Sequence, residues 1–400
     1  MPGTTRSALR FHHFPARLAA LLAAVTAIGS VLALAGAAIG QHWPPGAFWH
    51  IVFAVGALPL ILAAMAYFTP VLTRTPEAPH GLAVLPLIAL LAGLSIVAWF
   101  AHGVGLPRLV APWLALGAVA GLALWMRRRW RACLGPPHAC LSWYAAALFC
   151  LGLGLVAVGV SAFRPELGPY LRTFHLHVNA LGFMGLTAIG TLQVLLPTVL
   201  GRPDPATSRR LVRDLPWSLA GALGVAAGAS LGGALGGALA AGAAVTYAWP
   251  LLHLAHDIRR AFGGQVWSPR QAAPLLLAAM TGLTLTLVHG IAHGTGMIQA
   301  RDVLPMFVIS FLLPLVSGAV SQLLPVWLRP GAQADWHRQQ RTRLAAFART
   351  RAVLLVCAGV LSAADNETVG ATGYLLGILG ALWLVGAMAL AVRRSISQPR

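Results

Sequence analysis

Six histidines stand where this sequence could do chemistry. His50, His102, His175, His177, His289 and His293 each fall near the end of a long apolar run. An ionisable side chain at membrane depth is costly enough to be read first as functional. Neutral imidazole is a metal ligand, and histidines gathered at one depth are what a shared cofactor or metal requires. Other reactive groups are scarce. Cys133 and Cys140 flank His138 at a spacing that fits no standard zinc pattern, and Cys150 and Cys357 lie inside apolar runs, so all four are expected to be reduced, unligated thiols. The nine acidic residues fall in loops or at the ends of apolar runs and there is no lysine. No buried carboxylate chain for a proton relay can be drawn, which disfavours proton pumping and carboxylate-driven cation transport.

The elements that must position the histidines follow from composition. Of 400 residues, 58% are hydrophobic and 9% charged, with a mean hydropathy of +0.76. This balance excludes a soluble fold. A bilayer core of about 30 Å takes about 20 apolar residues per helix. Twelve such stretches are expected, at 16–40, 48–72, 81–101, 107–126, 140–163, 173–200, 216–234, 237–256, 272–294, 303–328, 345–364 and 368–392. The fold class is therefore all-α, a polytopic membrane protein in one domain, 1–400. The first run is too long and lacks the small-residue cleavage site of a signal peptide, so it reads as a permanent helix.

A net charge of +19 could suggest nucleic acid, but the placement of the 28 arginines follows the membrane rule instead. With the N-terminus inside, 24 of them fall on the cytoplasmic side, leaving Arg108, Arg164, Arg172 and Arg301 outside. Both termini are then cytoplasmic, and the expected location is a bacterial inner membrane. Trp43, Trp49 and Trp143 read as interfacial anchors, as do His253 and His256 beside Asp257 and Arg259. Gly224, Gly228, Gly232 and Gly236 have the every-fourth-residue spacing that lets membrane helices approach closely.

A repeat is visible in the prolines. The second stretch ends Phe68-Thr69-Pro70-Val71-Leu72-Thr73-Arg74, the sixth Leu196-Pro197-Thr198-Val199-Leu200-Gly201-Arg202 and the tenth Leu324-Pro325-Val326-Trp327-Leu328-Arg329. The prolines are 127 and 128 residues apart, which suggests three pseudo-repeated four-helix arcs at approximately 16–128, 140–256 and 272–392. His50 and His177 each lie 20 residues before their proline, about 30 Å of helix, and so at the opposite, outer face. The third unit has Pro305 at this place.

Helical geometry sorts the histidines further. His175 and His177 are two residues apart, about 200° around a helix, so they cannot share one metal but can address two sites. His289 and His293 are four apart and share a face; they could hold a metal jointly, or one could ligate while the other hydrogen-bonds. His102 and His293, each followed by glycine, also read as residues reaching the interface.

The string Phe174-His175-Leu176-His177-Val178-Asn179-Ala180-Leu181-Gly182-Phe183-Met184-Gly185, continuing to Leu195-Leu196-Pro197, resembles the haem-ligating helix of haem-copper oxidase catalytic subunits and their smaller relatives. The run from Trp49-His50 through Gly56 to Pro70 is likewise similar to the histidine helix of that superfamily and of the NnrS family, haem-copper membrane proteins linked to nitric oxide stress. The resemblance implies a fold of three four-helix arcs, His50 and His177 as axial ligands of haem b, and His175 at a second centre; His289 and His293 could supply a reduced metal site or join His175 in a second haem or copper site. The sequence departs from oxidases in carrying the histidine-x-histidine pair on the sixth stretch, in having no histidine on the tenth, and in lacking an adjacent histidine pair and a histidine–tyrosine pattern. Oxygen reduction is therefore not expected. The expected partners are the lipid bilayer, haem, and nitric oxide or a redox partner, in electron transfer or in a nitric oxide or redox stress response; any enzymatic activity would be that of an oxidoreductase. The alternatives are a permease for a small molecule or metal, or a haem-free assembly factor.

Overall fold

The computed structural model describes residues 14–39, 44–103, 105–202, 204–298, 300–364 and 366–397. Among them every regular element is a helix, as expected of a chain whose backbone polar groups must be satisfied within lipid. Trp43, Arg6, Arg10, Arg400 and the side chain of Arg301, all used in the topology reading, lie outside the described residues.

Among the described residues, eleven helical spans are long and apolar enough to cross a membrane: α1 Ala16–Ala38, α2 Gly46–Thr73, α3 His80–His102, α4 Gly105–Arg131, α5 Cys140–Phe163, α6 Pro165–Val199, α8 Gly233–Trp267, α9 Ala273–Gly294, α10 Val303–Leu328, α11 Asp335–Ser362 and α12 Glu367–Ser397. The expected seventh stretch, 216–234, corresponds to α7, Thr207–Leu231. It begins earlier than expected and carries Arg209, Arg210, Arg213 and Asp214 in its first two turns, so it does not join the eleven. It ends where Gly232 and Gly233 take positive φ (63° and 64°), a left-handed conformation that glycine adopts without strain, and α8 starts at once. The small-residue spacing serves this hairpin: a Cβ on Gly228 would meet the backbone of Gly236 and Ala240, and one on Gly224 would meet Ala243.

Three spans share an irregularity. Helical hydrogen bonding widens to the π form at Ile51–Ala57 in α2, Val178–Gly185 in α6 and Phe307–Leu312 in α10. The segments start 127 and 129 residues apart and keep the spacing of Pro70, Pro197 and Pro325. Wide turns of this kind are rare and gather at functional sites. Here neighbouring helices lock them in place. Gly93 of α3 lies against the Ala54 carbonyl in the first, and Gly282 of α9 lies against the Ser310 carbonyl in the third. In the second, the buried Tyr247 of α8 donates its hydroxyl to the Leu181 carbonyl at 2.9 Å.

One expectation from composition is corrected. Trp143 is not an interfacial anchor. It is fully buried and donates its indole N–H to the Leu211 carbonyl at 2.9 Å, because Gly190 on α6 leaves room for the ring. The expected eleventh stretch, 345–364, corresponds to the helix Ala348–Ser362; a further helical piece, Asp335–Leu344, precedes it, and the chain turns between them through Phe347 at φ 55°. Arg351, in the first turn of Ala348–Ser362, is buried. It donates to the Leu344 carbonyl at 2.9 Å and to the Ser317 hydroxyl.

At the ends carrying most of the arginines, Asp204 accepts from Arg210 at 2.9 Å, and Arg210 also donates to the buried Gln193 Oε1 at 3.1 Å. Asp214, in the second turn of α7, is buried and paired with Arg213 at 2.6 Å. His138, between α4 and α5, accepts the Cys140 N–H on Nδ1 at 3.2 Å.

Candidate functional site

The histidines singled out in the sequence occupy matching ends of α2, α6 and α9. His50 immediately precedes the wide turn of α2 and His177 that of α6. His175 lies half a turn before His177, and His289 and His293 lie in the last two turns of α9. All five are half-buried. His102, at the end of α3, is exposed, in keeping with an interfacial residue.

The lateral pairing differs from the expected one. The resemblance put His50 and His177 on one group, but the ring beside His50 is that of His175. Their planes are within 11° of parallel, with centroids 6.5 Å apart. The half-turn offset between His175 and His177 separates the two rings: His175 turns towards α2 and α5, while His177 turns back on the Thr173 carbonyl of its own helix. Phe100 of α3 also packs on His50, at 4.8 Å between centroids.

Each of the five imidazoles is tied through Nδ1 to a main-chain carbonyl. His50 meets Gly46 O at 2.6 Å, His177 meets Thr173 O at 2.9 Å, His289 meets Leu285 O at 3.0 Å and His293 meets Ile298 O at 3.0 Å. His175 reaches across to Gly154 O on α5 at 2.9 Å. A carbonyl can only accept, so Nδ1 carries the proton in each ring and Nε2 is left with a lone pair. This is the tautomer that ligates metals through Nε2, and the carbonyl is the partner that fixes ring orientation and raises ligand basicity.

Two residues missed in the sequence pack near the histidine-x-histidine pair of α6. Asn179, one helical turn on, sets its Nδ2 against the His175 ring, and with the Nδ1 proton on the Gly154 carbonyl the amide donates to Nε2, at 3.4 Å. Its Oδ1 is buried with no hydrogen-bond partner. Gly154 is required beneath it, since a Cβ there would press on the Asn179 amide. The i, i+4 relation of His175 and Asn179 was the available signal. Tyr247 was a second omission; it supports the wide turn directly after His177.

Among the described residues no three His, Cys, Asp or Glu side chains converge as a metal-binding group. His50 and His175 are the two candidate histidines whose rings lie side by side. The expected joint site of His289 and His293 is represented by two histidines on one face of α9, each held by its own carbonyl. The four cysteines are free thiols, with Cys140 donating to the Gly190 carbonyl at 3.4 Å. Compared with known proteins, the chain matches no family model and no curated sequence, so the resemblance to haem-copper proteins rests on the motifs of α2 and α6 alone.

Proposed function

We propose that this chain is a haem-binding multi-pass protein of the bacterial inner membrane, with both termini in the cytoplasm, acting in electron transfer or in the response to nitric oxide or redox stress. The observation that carries the reading is the set of five half-buried histidines at one end of three spans, every one with its Nδ1 proton on a carbonyl and its Nε2 lone pair uncommitted to the backbone.

The residues suit a b-type haem. His50 and His175, whose ring centroids lie 6.5 Å apart in nearly parallel planes, would hold the haem iron in this proposal. The unpartnered Asn179 Oδ1 adds a polar atom beside that pair. His177 and His293, with His289 on the same face, are the ligands of a second haem or of copper. Bound haem would supply one-electron and gas-binding chemistry. The chain's own contribution is to hold each imidazole in one tautomer, to set its basicity through the carbonyl it faces, and to surround the site with apolar helices that exclude water. The orientation rests on the arginines, of which 24 of 28 fall on one side.

The test is the haem content of alanine variants by pyridine haemochrome. His50→Ala and His175→Ala should lose the same haem, His177→Ala and His293→Ala should perturb a different centre, and His102→Ala should change nothing. Full retention of haem with an unchanged spectrum in all four site variants would overturn the assignment.

A further inference from the structure

On the outside of the bundle, the seam between α4 and α5 holds a groove of about 800 Å³. Its body is lined by apolar side chains, among them Leu116, Ala120, Phe149 and Val156, of which Phe149 and Val156 are exposed on the outside of the bundle. Its polar lining is confined to one end, where Arg127, Trp130 and Arg131 close it. Arg127 and Arg131 are one helical turn apart and share a face of α4. Both are exposed, and neither takes part in the ion pairs, hydrogen bonds or ring contacts found among the described residues. No acidic residue lines the groove.

We infer that this groove binds one anionic phospholipid, with its acyl chains along the apolar wall and its headgroup phosphate between Arg127 and Arg131. Length and charge together select this occupant. From Leu116 to Met126 the wall rises ten residues, about 15 Å at 1.5 Å per residue, which is half of a hydrocarbon core of about 30 Å and so one leaflet. The two guanidiniums then stand at headgroup depth, and Trp130 between them is the residue type that favours that level. A transmembrane helix from another protein would need a groove running the full thickness, whereas this one extends only to Arg131, about 22 Å from Leu116. A zwitterionic lipid would fit the wall but leave two cations against a headgroup of no net charge. Basic pockets between membrane helices recognise anionic headgroups in this manner.

Native mass spectrometry of the full-length protein, purified in mild detergent and titrated with dioleoyl phosphatidylglycerol or dioleoyl phosphatidylcholine, tests the proposal. Wild type should retain one phosphatidylglycerol in preference to phosphatidylcholine. Arg127→Gln/Arg131→Gln should abolish the preference, with affinity for the anionic lipid falling more than tenfold, since each basic residue near the headgroup contributes about fivefold. Gly152→Leu gives a second handle on the groove body, because a Cβ there meets only Leu116 Cδ1, at 3.8 Å, and the side chain is free to fill the wall. It should weaken both lipids while leaving folding intact by circular dichroism. Equal retention of the two lipids by wild type, or binding unchanged in both variants, would overturn the proposal.

Discussion

The wide turn after His177 offers a test in which two substitutions should fail to add. Tyr247→Phe removes the hydroxyl that donates to the Leu181 carbonyl at 2.9 Å, while that carbonyl keeps the Leu186 N–H as its other donor. A net hydrogen bond is worth about 0.5–1.5 kcal/mol and interhelical ones in membranes average about 0.6 kcal/mol, so a loss of about 0.5–1 kcal/mol is expected. Gly185→Ala places a Cβ against the same hydroxyl, the Cζ atom being next at 3.3 Å and the Ala180 carbonyl at 3.4 Å. Overpacking of this kind costs about 1–3 kcal/mol, less about 0.5–1 kcal/mol regained as helix propensity. In the Tyr247→Phe background the colliding atom is gone and alanine should fit with a small adjustment. The double variant should then be about 1–1.5 kcal/mol more stable than the sum of the single losses implies. Equilibrium unfolding in mixed micelles of dodecyl maltoside and increasing dodecyl sulfate, followed by far-UV circular dichroism, measures all four corners of the cycle. Additivity within about 0.5 kcal/mol, the behaviour of independent sites, would refute the reasoning that Tyr247 fills the space Gly185 leaves open.

Trp143→Phe should destabilise the protein by about 1–2 kcal/mol in the same assay, because the Leu211 carbonyl loses its donor; an interfacial anchor would show almost no change. Burial, and then the neighbouring Arg74, hold the His138 imidazole below its ordinary range. The folded state therefore binds fewer protons there than the unfolded state, and stability should fall as pH drops through 6.5 and below. His138→Gln should flatten that fall between pH 7.5 and 5, and an unchanged pH profile would contradict it. Asp204 is also held below the usual carboxylate range, where the cost of burial is outweighed by the Ala206 N–H and by Arg210. It contributes stability above pH 3.8 that is lost on further acidification, so Asp204→Asn should lower stability at pH 7 and leave it little changed at pH 3.

The depth of the histidines was legible because it depends on distance along a helix, which apolar length and the prolines fix. The two-sidedness of His175 and His177 was legible for the same reason, being a rotation of about 200°. Which imidazole faces which was not. Periodicity describes one helix at a time, and the meeting of His50 with His175 is decided by how α2 and α6 lie side by side. The wide turns left no compositional trace either, since they depend on contacts from other helices, Gly93, Gly282 and Tyr247 among them. Trp143 misled for a related reason, because an aromatic residue near a helix end has the same local sequence whether lipid or Gly190 stands opposite. Asn179 was within reach through its i, i+4 relation to His175. Its significance came only with Gly154, whose carbonyl and bare Cα shape the same corner from another helix.

Haem ligation by the histidine pairs is tested most directly by a visible spectrum of the detergent-purified wild-type protein from haem-replete cells, oxidised and then reduced with dithionite, with iron determined on the same sample. Sharp b-type bands on reduction, with at least one iron per chain, are the predicted result. A colourless, iron-free protein would contradict the account and return the histidine pairs to the permease or assembly-factor readings.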